Sequence, residues 1–242
     1  AGNFKGNYEE IEAIFKERLI LDKGDGRIDM PDEKAIKLDG PLVVRKPSVP
    51  NIYLFIDYYI NRKLSTQERV AMQTISTLLT DTMYSRIFGA AREKGWVYGM
   101  GSGITLGYDV SNWWMGAQVS KTNSKPLIRL IRDELNRLSQ GLIDSDELEM
   151  AKKNLLGKTM RSGQTAGGLV SRYSEYYASD VVENLGKLPH MIKKVSAKQC
   201  TKLFKELVDS QIWGLGLLGS ITMNPARTLE EYLEEVYSES KD

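Results

Sequence analysis

Between residues 9 and 19 apolar side chains recur at helical spacing: Ile11, Ile14, Phe15 and Leu19 share one face, with Tyr8 just before them. Residues 22–40 are polar and rich in Gly and Asp, and read as a loop. Residues 41–47 and 51–61 read as strands, the second rich in β-branched and aromatic residues, with Pro47 and Pro50 punctuating between them. Ser65 or Thr66 then offers a helix N-cap with Glu68 near the third helical position. Val70, Ile75, Leu78 and Leu79 form the apolar side of that helix, which runs toward Asp81. A second helical piece spans residues 84–94 and stops at Gly95. Residues 96–108 and 112–120 follow as an antiparallel pair joined at 109–111.

The second half is mostly helical. Residues 126–138 place Leu127, Ile128, Ile131, Leu135 and Leu138 at helical spacing, with Pro126 at the start and Gly141 past the end. Ser145 is expected to cap a helix over 146–161, with acidic residues in its first turn as the helix dipole favours. Helical pieces follow at 168–179 and 185–195, and Ser196 caps another over 197–208. Residues 212–218 form a short apolar strand, and 228–237 a closing acidic helix. Tightly joined strand pairs with segregated helices imply an α+β fold: two layers, a mostly antiparallel sheet with helices on one face. No linker divides the 242 residues, so 1–242 is read as a single domain.

Composition narrows the chemistry. With 33 Lys+Arg against 32 Asp+Glu the net charge is +1, which gives no global field for nucleic acid. No apolar run approaches the ~20 residues of a membrane span. The chain has one histidine, His190, so HExxH, HxxEH and His-rich zinc sites are absent from it. The single Cys200 precludes an intramolecular disulfide and suits a reducing compartment, which slightly favours the cytoplasm. The chain opens Ala1-Gly2-Asn3-Phe4, without initiator Met or signal peptide, and reads as a piece of a longer protein.

Three short signals have ordinary explanations. Gly214-Leu-Gly216-Leu-Leu-Gly219 spells GxGxxG, but a dinucleotide site also needs a second parallel strand, and the residues remaining after Gly219 leave room for one helix only. The glycines are better read as thinning a strand where another backbone packs close, so that Gly216→Ala should overpack it. Asp22-Lys-Gly-Asp-Gly-Arg-Ile-Asp29 resembles a calcium loop, but every alignment leaves ligand positions on Leu, Lys or Gly. His190 could ligate zinc only with Cys200 and carboxylates, and reads as structural or solvated.

The stretch Asp81-Thr-Met-Tyr-Ser-Arg-Ile-Phe-Gly-Ala-Ala-Arg-Glu-Lys-Gly-Trp-Val-Tyr98 resembles the SRLFQELREKRGLAYSV segment of the insulinase-like zinc peptidases, which include pitrilysin and the mitochondrial processing peptidases. The resemblance runs on through Ala1–Phe4 and the helix after it, residues 51–61, Gly141-Leu-Ile-Asp-Ser-Asp-Glu-Leu-Glu-Met-Ala-Lys152, the Val195-Ser196 step and residues 213–219. These peptidases are clamshells of two homologous halves, one carrying an inverted HxxEH zinc site. Lacking HxxEH, the chain resembles the other, C-terminal half. The resemblance implies an inactive half, itself without cofactor, that completes a chamber for peptide or unfolded polypeptide and leaves zinc on a catalytic partner half. It also implies that Arg92 and Tyr98 bind the substrate backbone near the scissile carbonyl. The segment here is one residue shorter, REKGWVY against REKRGLAY. The alternative is a catalytically dead scaffold or assembly subunit of the same fold.

Overall fold

The computed structural model describes residues 5–20, 34–107, 109–178 and 185–238. In chain order they form α1 (Tyr8–Arg18), β1 (Leu42–Arg45), β2 (Ile52–Ile60), α2 (Thr66–Leu79), α3 (Arg86–Glu93), β3 (Val97–Leu106), β4 (Ser111–Val119), α4 (Lys121–Ser139) and α5 (Ser145–Ser162). Then come α6 (Ala166–Ala178), a 3-10 turn at Leu185–Lys187, α7 (Leu188–Lys194), α8 (Ala197–Asp209), β5 (Trp213–Gly219) and α9 (Met223–Ser238).

The sheet runs in the order β1-β5-β2-β4-β3. β2 pairs antiparallel with both β4 and β5, β3 pairs antiparallel with β4, and β1 pairs parallel with β5. This is the mostly antiparallel α+β sheet expected from the sequence. Strand alternation sets its two faces. Ile52, Leu54, Ile56, Tyr58 and Ile60 point into the core, joined there by Trp113 and Met115 of β4 and Leu215 and Leu217 of β5. Above them lie α2 and α8, each with an apolar face against the sheet. Trp113 anchors the layer: its indole N–H donates to Ser76 Oγ at 2.9 Å and its ring meets Phe204 edge-on. The opposite face is open, with Leu42, Val44, Tyr53, Phe55 and Leu218 all exposed.

Local chemistry accounts for the helix ends. Ser65 and Glu68 close a capping box on α2, and Ser196 and Gln199 another on α8. Three starts differ from expectation. α4 begins at Lys121 because the Ser120 hydroxyl accepts from the Asn123 N–H, which leaves Pro126 inside the helix. The cap of α5 is Asp144, which accepts from the N–H groups of Asp146 and Glu147, one residue before the expected Ser145. α9 starts at Met223, ahead of the acidic residues that mark it in the sequence. Gly141, at φ +77°, closes α4 with the Gly141 N–H on Leu138 O and the Leu142 N–H on Arg137 O.

The GxGxxG letters lie within β5 and not at a strand-to-helix turn. Their three glycines differ in how much room surrounds them. A Cβ on Gly219, at φ +141°, would come within 2.2 Å of Asn51 O, and one on Gly214 within 2.7 Å of Leu38 Cδ1. A Cβ on Gly216 would find its nearest atoms at 3.9 and 4.0 Å. The expectation that Gly216→Ala overpacks the strand is therefore corrected: Phe55 leaves room there. Gly219→Ala is expected to lower stability by about 1–3 kcal/mol or more, with Gly216→Ala close to wild type. Urea melts of the two variants compare the sites directly.

Candidate functional site: the corner between α3 and β3

α3 ends where its sequence dictates. Gly95 adopts φ +67°, its N–H bonds to Arg92 O, and the Trp96 N–H bonds to Ala91 O. This glycine stop reverses the chain so that the start of β3 runs back past the last turn of α3. Arg92 sits on that turn. Its Nη1 donates to Val97 O at 3.4 Å and to Tyr98 O at 3.2 Å. The same guanidinium lies 4.5 Å from the centre of the Tyr98 ring. The two residues singled out from the sequence are thus brought together, half-buried Arg92 beneath Tyr98, which is 83% exposed. The β3–β4 register shifts between Val97 and Met100. Such a bulge re-aims side chains, here at a sheet edge. β3 is the last strand in the sheet order, so an exposed phenol and a guanidinium, both hydrogen-bond donors, stand at the start of an edge strand.

A buried ion cluster fixes this corner. Arg86, first residue of α3, donates from Nη2 to Glu147 Oε2 at 2.6 Å and to Leu142 O at 2.8 Å, and its Nη1 lies 3.8 Å from Glu134. Its side chain is 4% exposed. Sequence reading missed Arg86, because a basic residue in the first turn of a helix looks like a solvated one. It also missed Arg69, Lys158 and Arg172, which line one cavity from three different helices.

The remaining candidates do not gather. His190 is exposed on α7, and Cys200 is buried on α8. The calcium-like stretch 22–29 lies outside the described residues. Among the described residues no group of three or more His, Cys, Asp or Glu is placed to hold a metal ion, and no helix is long and apolar enough to cross a membrane. Burial pushes the Cys200 thiol up to about 12, so no thiolate is available near neutral pH. A thiol reagent such as DTNB is expected to leave native protein unmodified and to titrate one thiol after denaturation.

Residues 21–155, more than half of the chain, match the family described as "Peptidase M16 inactive domain". The chain belongs to this inactive-domain family. A protease from Helicobacter pylori has the same fold at TM-score 0.72 and 16% identity, covering 88% of this chain and 52% of the other. The peptidase M16 inactive domain from Pseudomonas fluorescens aligns at TM-score 0.69 and 17% identity, covering 83% and 48%. A chain of complex III2 from Candida albicans aligns at TM-score 0.66 and 15% identity, covering 79% and 49%. The M16 inactive domain therefore spans about half the length of these structures. No curated protein matches its sequence.

Proposed function

We propose that this M16 inactive domain completes the peptide-binding chamber of a zinc metallopeptidase whose HxxEH half, on the same chain or a separate subunit, holds the metal. The observation that carries the reading is the Arg92–Tyr98 pair, a guanidinium stacked under an exposed phenol at the start of an edge strand. Donors of this kind stabilise the negative charge that develops on a carbonyl oxygen under attack. The chain supplies the donors, while a zinc ion held by the HxxEH half would provide the activated water. One histidine and no HxxEH leave this chain without a catalytic zinc set of its own.

Two unburied apolar surfaces support a partner half. One is the open face of the sheet around Leu42, Val44, Tyr53, Phe55 and Leu218. The other is α1, which buries no residue and exposes Tyr8, Ile14, Phe15 and Leu19. Surfaces this apolar mark sites of association, and relatives about twice as long supply a candidate to cover them.

The test compares this chain alone with the chain joined to an HxxEH half. Alone it is expected to hold no stoichiometric zinc after mild chelation and to hydrolyse no fluorogenic peptide; joined, it is expected to turn over. Zinc-dependent turnover by the isolated chain would overturn the accessory-half reading. Assembly with an HxxEH half that turns over equally without this chain would favour the scaffold role.

A further inference from the structure

On its open face the sheet forms a shallow apolar bowl. The register places Val44, Leu218 and Tyr53 in one row across the strands and Leu42, Gly216 and Phe55 in a row beside it. The five large side chains are 38–62% exposed and surround a hollow of about 430 Å³ over Gly216. Phe55 leans toward β4, where a Cβ on Gly116 would come within 2.6 Å of its ring, and so leaves Gly216 uncovered. Gly216 has no positive φ and no neighbour closer than 3.9 Å to an added Cβ. Neither packing nor conformation within the described residues asks for glycine there, whereas a side chain would fill the bowl.

α1 carries the complementary surface. It buries no residue, so it does not lie on the sheet of its own chain. Its apolar stripe of Ile11, Ile14 and Phe15 has the spacing with which a helix anchors in an apolar groove. Charge complements shape. The helix bears four carboxylates against two cations. Glu12 holds Lys16, whereas Glu9 and Glu17 meet no cation among the described residues. Arg45 and Lys46, beside Val44 at the end of β1, are exposed and meet no carboxylate among the described residues. An acidic helix with an apolar stripe and an apolar bowl with a basic rim thus occur in the same chain.

We propose that α1 of one copy docks on the open sheet of a second copy, and that the second copy's α1 docks in return. A two-fold axis makes such an exchange reciprocal and closed. Each contact is modest, and using it twice moves the buried surface toward the about 1,200–2,000 Å² of a stable interface. Ile11 and Phe15, one turn apart, fill the bowl over Gly216, and the carboxylates of α1 meet Arg45 and Lys46 at its rim. Such rim charges set the orientation of docking more than its strength. The exchange does not depend on the Arg92–Tyr98 corner. It is what the M16 inactive domain does with these two surfaces when no HxxEH half covers them.

The test is the mass of the chain in solution. Light scattering at tens of micromolar is expected to give twice the 27.3 kDa of one copy. Phe15→Glu and Val44→Glu should each give the mass of one copy with an unchanged circular dichroism spectrum, because neither residue is buried. Gly216→Val, which fills the bowl from its floor, should do the same. Mixing the first two variants separates exchange between copies from docking within one. In a mixed pair the intact helix of the Val44→Glu copy meets the intact sheet of the Phe15→Glu copy, so the weight-average mass should rise above that of either variant alone. A wild-type chain with the mass of one copy, a dimer that survives these substitutions, or a mixture whose mass does not rise would each overturn the exchange. Those results leave the chamber reading standing, since turnover with the HxxEH half judges it separately.

Discussion

Replacing Arg86 with Met is expected to destabilise the fold by about 3–5 kcal/mol, the usual result of removing one member of a buried ion cluster. Met restores most of the volume, so a cavity contributes little. What is lost is specific. The Leu142 carbonyl loses its 2.8 Å donor, and Glu134, only 11% exposed, loses one of its two cations. Arg137 still pairs with Glu134 at 2.9 Å, which places the cost toward the lower end of that range. Glu147→Gln should cost less, because that side chain is 41% exposed and water can reach the vacated position. Chemical denaturation of the two variants tests the order. Arg86→Met within experimental error of wild type would show that apolar packing can replace the cluster. The cluster also ties α3 to the end of α4 and the start of α5, so its loss should loosen the turn that presents Arg92.

The elements legible in the sequence are those with local causes. Ser65 with Glu68 and Ser196 with Gln199 state their helix starts in four letters, and Gly95 and Gly141 state helix ends. The start of α4 was obscured by Pro126, which suits a first helical turn but here sits inside a helix already capped by Ser120. Strand order was not legible. β5 inserts between β1 and β2, parallel to the former, through contacts with residues some 170 positions earlier that no local pattern encodes. The stripe of apolar residues on α1 is legible as one helical face, and none of it is buried. A hydrophobic pattern shows that a face wants cover without showing whether the cover lies in the same chain.

The candidate site divides in the same way. Arg92 and Tyr98 were found through a resemblance to a family, and the glycine turn between them explains why they meet. The basic residues of the cavity, Arg69, Lys158 and Arg172, come from three helices. Their convergence depends on packing and leaves no spacing to read.

Tyr98→Phe, made in the enzyme that contains the HxxEH half, is expected to lower kcat about 10²–10³-fold, some 2.7–4 kcal/mol of transition-state stabilisation. The substitution removes one hydroxyl and keeps the ring. Because Tyr98 is 83% exposed and its ring only stacks on Arg92, the fold has little to lose, and the melting temperature should not move. KM should stay close to wild type, since a donor aimed at the developing oxyanion acts more strongly in the transition state than on the bound substrate. Arg92 is a poorer probe. Its Nη1 ties the turn to the Val97 and Tyr98 carbonyls, so Arg92→Ala would disturb the position of Tyr98 along with any contact to substrate. The segment REKGWVY is one residue shorter than the REKRGLAY it resembles, yet the glycine stop still brings guanidinium and ring to 4.5 Å. A Tyr98→Phe enzyme with wild-type kcat would remove the hydroxyl from the chemistry and leave this half the work of enclosing the peptide. An unchanged kcat with a raised KM would assign Tyr98 to substrate binding that is equal in ground and transition states.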